Sequence, residues 1–379
     1  MFAAVRPGAR RAAWPIVVAW AVVLVLLGGA FHRLRADPPG VATGLHHAGH
    51  GFRNLDASYS YSMLDRAGTL LRRLGEAARP RGKPFEMVAN DGADLRANGT
   101  SPTVTWIGHA TFLVQLDGVN ILTDPHWGLR ASPLRFAGPK RLIPPGMRFE
   151  DLPPIHAVVI SHDHYDHLDT ETVGRIARAH DSVFFVPLGV GGLVMDMGAR
   201  RVVELDWWER GTVGPVTVVC TPAQHSSGRT LLDQNERLWS SWAVLGQGGR
   251  FFFAGDTGYF SGFKTIGERL GPFDLVAAPI GGYSAYVTHH PNHVSPEEAV
   301  QLFEDVHGRL LIPMHWGTFD MNSESFAEPP ERLVREARRR GLEAEVKVLL
   351  PGQTLHWDRV TGRRDRAPSD EVVPLAASP

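Results

Sequence analysis

Cysteine is almost missing from this chain: among 379 residues there is one, Cys220, set inside the apolar run Val216-Thr217-Val218-Val219-Cys220. No disulfide framework can form, and the thiol reads as a small buried hydrophobe. Excess charge is missing too. The formal net charge is −1 and no lysine- or arginine-rich block lies beyond the first residues, so a nucleic-acid partner has no electrostatic basis. What remains, 43% hydrophobic and 21% charged residues, suits one large or two ordinary globular domains with a substantial core.

Long apolar runs are absent with one exception. Ala12 to Phe31 is uncharged and follows Arg6, Arg10 and Arg11; at about 20 residues, or about 30 Å as a helix, it is long enough to span a bilayer. A cleaved secretory signal is the competing reading, with Gly28-Gly29-Ala30 as the cleavage site, but the apolar core of a signal is usually only about 7–15 residues. The expectation is a membrane-attached chain with a single N-terminal transmembrane span. Arginines before the span outnumber Arg33 and Arg35 after it, which places the body outside the cytoplasm, on the periplasmic side if bacterial.

Histidine, by contrast, is plentiful, with 18 in the chain. Three of them sit in Ser161-His162-Asp163-His164-Tyr165-Asp166-His167-Leu168-Asp169, directly after the apolar run Ala157-Val158-Val159-Ile160. Burying so dense a polar cluster unpaired is costly, and a bound cation reconciles it with a strand that enters a core. The spacing His-x-His-x-Asp-His can supply ligands to two ions at once, and two metals a few Å apart imply hydrolysis.

Along the chain, a short basic segment (1–11) precedes the span (12–31), and a Pro-, Gly- and Arg-rich linker and arm follow (32–100), with a helix-like patch from Ser62 to Ala78. The main domain occupies 101–358, and the Pro- and Ala-containing tail 359–379 reads as disordered. Within the domain, short β-type runs occur at Val104–Ile107, Thr111–Leu116, Val119–Thr123, Ala157–Ile160, Val183–Val186, Arg201–Leu205, Val213–Cys220, Ser241–Leu245, Phe251–Ala254, Leu275–Pro279, Leu310–Pro313 and Val346–Leu349. Helices are expected at Thr170–Ala179, at Pro296–Val306, opened by a Ser295/Glu298 capping box, and at Pro330–Arg340, closed by Gly341. Strands interleaved with helices predict an α/β fold of two mixed sheets packed face to face with helices outside. A strand, a Gly-containing turn, a second strand and a terminal Asp occur in Phe112 to Asp124 and again in Ala243 to Asp256, an echo of two related halves.

Residues able to bind metal recur at the carboxyl ends of these strands: His109, Asp124, the 162–167 cluster, His225, Asp256 and His315. If the strands share one sandwich, their ends share one edge. At this point the chain resembles the metallo-β-lactamase superfamily, and within it the N-acyl-phosphatidylethanolamine-hydrolysing phospholipase D family. The resemblance rests on Trp106-Ile107-Gly108-His109-Ala110-Thr111, Leu122-Thr123-Asp124-Pro125, Gly138-Pro139-Lys140-Arg141, Glu204-Leu205-Asp206-Trp207-Trp208, Phe251 to Tyr259 and His315-Trp316-Gly317-Thr318-Phe319, besides the histidine cluster. It covers roughly Trp106 to Gly352 and implies a metallo-β-lactamase-type αββα sandwich.

The same resemblance implies two Zn2+ ions, other divalent metals being possible: His162, His164 and His225 on one, Asp166, His167 and His315 on the other, and Asp256 bridging. Such a pair would acidify a water to attack phosphorus. Tyr165 and His293 are the further catalytic candidates. Tyr165 sits between ligands and matches a substrate-contacting tyrosine, with a packing role as the alternative, and His293 stands at a helix start, suited to holding phosphate or assisting the leaving group, with a solvated loop histidine as the alternative. Asp124 and Asp169 read as acceptors that orient ligand N–H groups, with plain turn roles as the alternative. His109 is read as a supporting residue and Asp163 as pointing away. His289 and His290 lie outside the family match. The loop Ser226 to Ser240, with Leu231, Leu232, Leu238 and Trp239, either lines an acyl groove or packs on the body.

The expected partners are a phospholipid substrate and the membrane, with a homodimer as the candidate assembly and no nucleic acid. The expected activity is release of phosphatidic acid from N-acyl-phosphatidylethanolamine. A metal-dependent lactonase or other carbonyl hydrolase, and a non-catalytic envelope lipid-binding protein, are the open alternatives.

Overall fold

The computed structural model describes residues 44–56, 85–230, 232–283, 292–321 and 324–358. A two-stranded hairpin, His47–Ala48 (β1) and Gly51–Phe52 (β2), and the short helix Ala93–Ala97 (α1) precede two larger sheets. The first sheet is built from Thr103–Gly108 (β3), Thr111–Leu116 (β4), Val119–Thr123 (β5), Ala157–Val159 (β6), Val183–Pro187 (β7) and Arg201–Leu205 (β8), in that spatial order. Its first three strands form an antiparallel meander, and β6, β7 and β8 then add in parallel. The second sheet contains Arg210–Val213 (β9), Val216–Thr221 (β10), Ser241–Leu245 (β11), Arg250–Phe253 (β12), Leu275–Pro279 (β13) and Leu311–Met314 (β14). It repeats the pattern, antiparallel up to β12 and parallel through β13 and β14. Thr354–His356 (β15) closes the first sheet beside β3.

Period-two alternation decides what each face of the first sheet meets. Val104, Trp106, Phe112, Val114, Ile121, Val159 and Phe185 point into one core with Trp242, Val244 and Phe251 of the second sheet, while Leu113, Leu122, Val158 and Phe184 point the other way. There they meet Val173 and Ile176 of the helix Thr170–Ala179 (α2) and Val194 of Gly191–Asp196 (α3). The second sheet is hydrophobic on both sides, as in Phe251-Phe252-Phe253, because Gly262–Leu270 (α4), Pro296–Asp305 (α5) and Glu328–Arg340 (α6) contribute to the same core. The result is the expected α/β sandwich of two mixed sheets with helices outside.

Local chemistry explains the ends of several elements. The β4–β5 turn is Asp117-Gly118, at φ 50° and 77°, directly between the paired residues Leu116 and Val119; positive φ at both positions is the two-residue hairpin geometry that matches strand twist. Ser295 accepts from the Glu298 N–H (3.2 Å) while the Ser295 N–H donates to Glu298 Oε2 (2.8 Å), and Gly341 ends α6 at φ 75°.

Departures from the sequence reading have local causes. Val213–Cys220 is a strand pair, β9 and β10, turned at Gly214-Pro215, where Gly214 has φ 54°. Val346–Leu349 forms no strand, only an isolated bridge between Val346 and Leu311. Helices α3 and α4 begin on glycine: Val190 before α3 offers no capping group, and Ser261 before α4 makes no cap bond.

The expectation of membrane attachment through a transmembrane helix is corrected here: among the described residues no helix is long and apolar enough to cross a membrane. The longest, α6, has 13 residues, about 20 Å against the roughly 30 Å of a hydrocarbon core, and it is heavily charged. The segment 12–31, the patch Ser62 to Ala78, the tail 359–379, His289, His290 and Leu231 lie outside the described residues.

Ser295→Ala removes one half of the capping box and is expected to lower stability by about 0.5–2 kcal/mol. A fall in the denaturant midpoint at unchanged slope is the measurement that checks it.

Candidate metal centre

Every chemistry-bearing segment leaves the sandwich at one edge. His109 follows β3, Asp124 follows β5, the 161–167 loop follows β6, His225 follows β10, Asp256 follows β12 and His315 follows β14. The chain turns sharply there: His109, Asp124 and His315 have φ of 55°, 34° and 59°, conformations that non-glycine residues adopt rarely and at a cost. Gly255, at φ 59°, has room for no side chain, since a Cβ would lie 2.6 Å from Ser161 Cβ. That close approach brings Asp256 up to the histidine loop. Two hydrogen bonds lock the edge, the His315 N–H donating to the His109 carbonyl (3.1 Å) and the His109 N–H to the Thr318 hydroxyl Oγ1 (2.8 Å).

The hydrogen bonds fix where the ring protons sit. The Ser161 hydroxyl donates to Asp124 Oδ2 (2.6 Å) and the Ser161 N–H to Asp124 Oδ1 (2.7 Å). With its proton committed, the Ser161 oxygen accepts from His162 Nδ1, 2.9 Å away, which leaves His162 Nε2 a bare lone pair. His225 Nδ1 donates to the Asn292 carbonyl (2.9 Å), so its Nε2 is bare as well. Both face His164 Nδ1, at 2.8 and 3.3 Å, and a single proton there can serve one of them but not both. Protonation does not relieve the crowding: burial holds the pKa of His162 and His164 below the imidazole range and that of His225 at about 3.

Beside this triad lies a second group, His109, Asp166, His167 and His315, all buried. Asp166 Oδ2 is 3.0 Å from His109 Nε2, 3.3 Å from His167 Nε2 and 3.4 Å from His315 Nε2. Asp256 Oδ2 is 3.1 Å from both His167 Nε2 and His315 Nε2 and 3.8 Å from His225 Nε2, so one carboxylate touches both groups. Burial opposes ionisation of Asp166 and Asp256, but the surrounding histidines, His167 above all, outweigh it and hold both well below the usual carboxylate range. In return, burial notwithstanding, Asp256 and Asp166 hold His167 well above the usual imidazole value and His315 at about 9. Burial pushes the Asp124 carboxyl up, and the bonds from His167 and Ser161 counter it.

The donors suit divalent cations. Nitrogens bound to one tetrahedral zinc at about 2.0–2.1 Å lie about 3.3 Å apart, close to the spacing in the imidazole triad. Asp256 Oδ1 and His315 Nδ1 are buried with no hydrogen-bond partner among the described residues, the kind of orphaned polar atom that calls for an explanation.

The remaining sequence candidates divide. His293 joins the centre, its Nδ1 3.8 Å from Asp256 Oδ2, two residues before the cap of α5. Tyr165 is half-buried with the Arg229 guanidinium 3.9 Å over its ring, a packing contact that ties the 226–240 loop to the cluster. Asp124 orients ring nitrogens as expected of an outer acceptor, accepting from His167 Nδ1 at 2.7 Å. Asp169 instead caps α2 through Thr172. Asp163 points away and accepts from the Gly228 N–H and Arg237. Leu238 and Trp239 are buried in the main core, and among the described residues of that loop Leu232 is exposed. One residue that the sequence reading passed over, Asn54, contacts the His225 backbone; no local signal marks it.

Comparison with known proteins adds a family. A beta-lactamase superfamily domain matches residues 119–316, the stretch that runs from β5 past His315. An uncharacterized protein of Mycobacterium tuberculosis is 46% identical over 264 residues, which is 68% of this chain and 69% of that protein. N-acyl-phosphatidylethanolamine-hydrolyzing phospholipase D 1 of Caenorhabditis elegans is 47% identical over 241 residues, 60% of this chain and 68% of that one. Among solved structures, Igni18, a metallo hydrolase of Ignicoccus hospitalis, superposes with a TM-score of 0.51 at 24% identity, covering 68% of this chain and 98% of its own. That likeness bears on fold alone.

Asp124→Asn keeps the shape of the side chain but disturbs the proton pattern of His162 and His167. Divalent-metal affinity is expected to fall by about 10–100-fold, read by competition with a chromophoric chelator, with little change in circular dichroism.

Proposed function

The chain belongs to the metallo-β-lactamase superfamily and is a metal-dependent hydrolase related to the N-acyl-phosphatidylethanolamine-hydrolysing phospholipases D, and on that premise we propose that it is a binuclear zinc phosphodiesterase. Its substrate in this reading is a glycerophospholipid, N-acyl-phosphatidylethanolamine first, cut to N-acylethanolamine and phosphatidic acid. The observation that carries the reading is the convergence of unprotonated imidazole nitrogens beside a carboxylate shared with a second donor group.

His162, His164 and His225 would hold one ion, Asp166, His167 and His315 the other, with Asp256 common to both. Zinc at such positions lowers the pKa of water to about 7 and neutralises charge that develops on a phosphoryl oxygen. In the overall reaction water supplies an oxygen to phosphorus, the P–O bond to the N-acylethanolamine oxygen breaks, and that oxygen takes up a proton. His293 faces Asp256 from the start of α5 and has 17% of its side chain exposed, which suits it to orient the phosphate or to hand a proton to the departing oxygen. His109, with its pKa pushed down to about 3 chiefly by burial, supports Asp166 as a neutral donor. Tyr165, under Arg229, shapes the mouth.

The test pairs metal analysis of the purified chain with hydrolysis assays on N-acylated phosphatidylethanolamine, ordinary phosphatidylethanolamine and an acyl lactone. Two equivalents of metal per chain and release of N-acylethanolamine are expected; lactone opening without lipid cleavage would replace this reading with a carbonyl hydrolase. Asp256→Asn should lose at least about 100-fold in turnover together with bound metal, whereas Tyr165→Phe should retain the metal and alter mainly kcat/KM. Unchanged activity in the first variant contradicts the sharing of Asp256.

A further inference from the structure

We propose that Asn54 is a positioning residue of the metal centre, acting through His225; the inference rests on the reading of His225 as a ligand. His225 lies beyond the end of β10, where no strand pairs with its backbone, and it is only 2% exposed. Asn54 supplies the missing pairing. Its Oδ1 accepts from the His225 N–H (3.0 Å) and its Nδ2 donates to the His225 carbonyl (2.8 Å), so one side-chain amide closes the ring that a neighbouring peptide would close in a sheet. The single Trp239 Nε1–H is shared between the Ala223 carbonyl (3.0 Å) and Asn54 Oδ1 (3.1 Å). The His225 ring is fixed separately by the Asn292 carbonyl, so backbone and ring are held from different directions while Nε2 faces His164.

The arm that carries Asn54 is itself fastened along its length. Two histidines grip one carboxylate, His46 Nε2 on Asp206 Oδ1 (2.6 Å) and His47 Nε2 on Asp206 Oδ2 (2.7 Å), and the His46 ring stacks on Trp207 at 4.1 Å. The Phe52 N–H donates to the Asn235 carbonyl (2.8 Å), and a Cβ at Gly51 would lie 2.1 Å from that oxygen, so only glycine permits the approach. Gln224, the residue before His225, donates to the Asp56 carbonyl (3.3 Å). Segment 44–56 thus grips the 206–239 region on both sides of His225. Without the Asn54 amide, the buried N–H and carbonyl of His225 lose their partners, and the loop must move to satisfy them.

The experiment uses the full-length chain, stripped of metal and titrated with Co2+ against a chromophoric chelator, with the visible Co2+ bands as a second readout. Asn54→Ala is expected to weaken Co2+ binding by about 10–100-fold and to change the band intensities, at a far-UV circular dichroism close to that of the unsubstituted chain. Asn54→Asp, which keeps the acceptor and loses the donor, is expected to fall between the two and covers the case in which the alanine variant does not fold. His225→Ala serves as reference and is expected to lose one equivalent of metal. If both Asn54 variants that fold bind Co2+ as the unsubstituted chain does while His225→Ala loses its ion, the positioning role is overturned and the ligand assignment stands. Full metal stoichiometry in His225→Ala overturns the ligand assignment itself.

Discussion

The proton pattern around the Asp124 carboxylate is the constraint on which the centre depends. That carboxylate accepts from the Ser161 hydroxyl, the Ser161 N–H and His167 Nδ1, and by doing so settles which nitrogen of His162 and of His167 is turned inward. An imidazole presents a lone pair to a cation only when its other nitrogen carries the proton. Here that choice is made by groups buried at the base of the loop, out of reach of solvent. The cluster is therefore preorganised by hydrogen bonds made on its far side.

The sandwich makes such an arrangement tolerable. Residues held at positive φ, among them His109, Asp124 and His315, each cost about 1–3 kcal/mol and persist only where surrounding structure holds them. They stand at the ends of strands that are buried along nearly all their length. The strain is concentrated where the backbone must aim a side chain into the centre, and the two sheets, sharing one continuous core, offset it.

Much of the first sheet was legible because short apolar runs between turn residues mark its strands, and α5 because Ser295 announces its start; the cap of α2, Asp169, was read instead as an acceptor for ligand N–H groups. Where no local chemistry marks a boundary, the reading failed. Gly191–Asp196 opens after Val190, and Thr354–His356 is a strand only because β3 offers it an edge. The histidine cluster could be read from spacing alone, since nine consecutive residues carry it. Asn54 could not, because its part is played through backbone groups 171 positions away, and a lone asparagine in an arm carries no signature of such a bond. Leu238 and Trp239 illustrate the converse limit: apolar residues near a site look like a groove in sequence, and only packing reveals that they belong to the core.

The tight turn at Asp117-Gly118 bears on the chemistry at the opposite end of its hairpin. It fixes Leu116 against Val119, and the ladder from there sets Phe112 against Thr123, immediately before Asp124. Strand side chains alternate faces, so a slip of one residue would send the next carboxylate to the wrong side of the sheet. Surface loops commonly absorb insertions, but this one acts as a ruler: its length decides, from the far end of the hairpin, whether the acid that governs the imidazole tautomers lies beneath them at all.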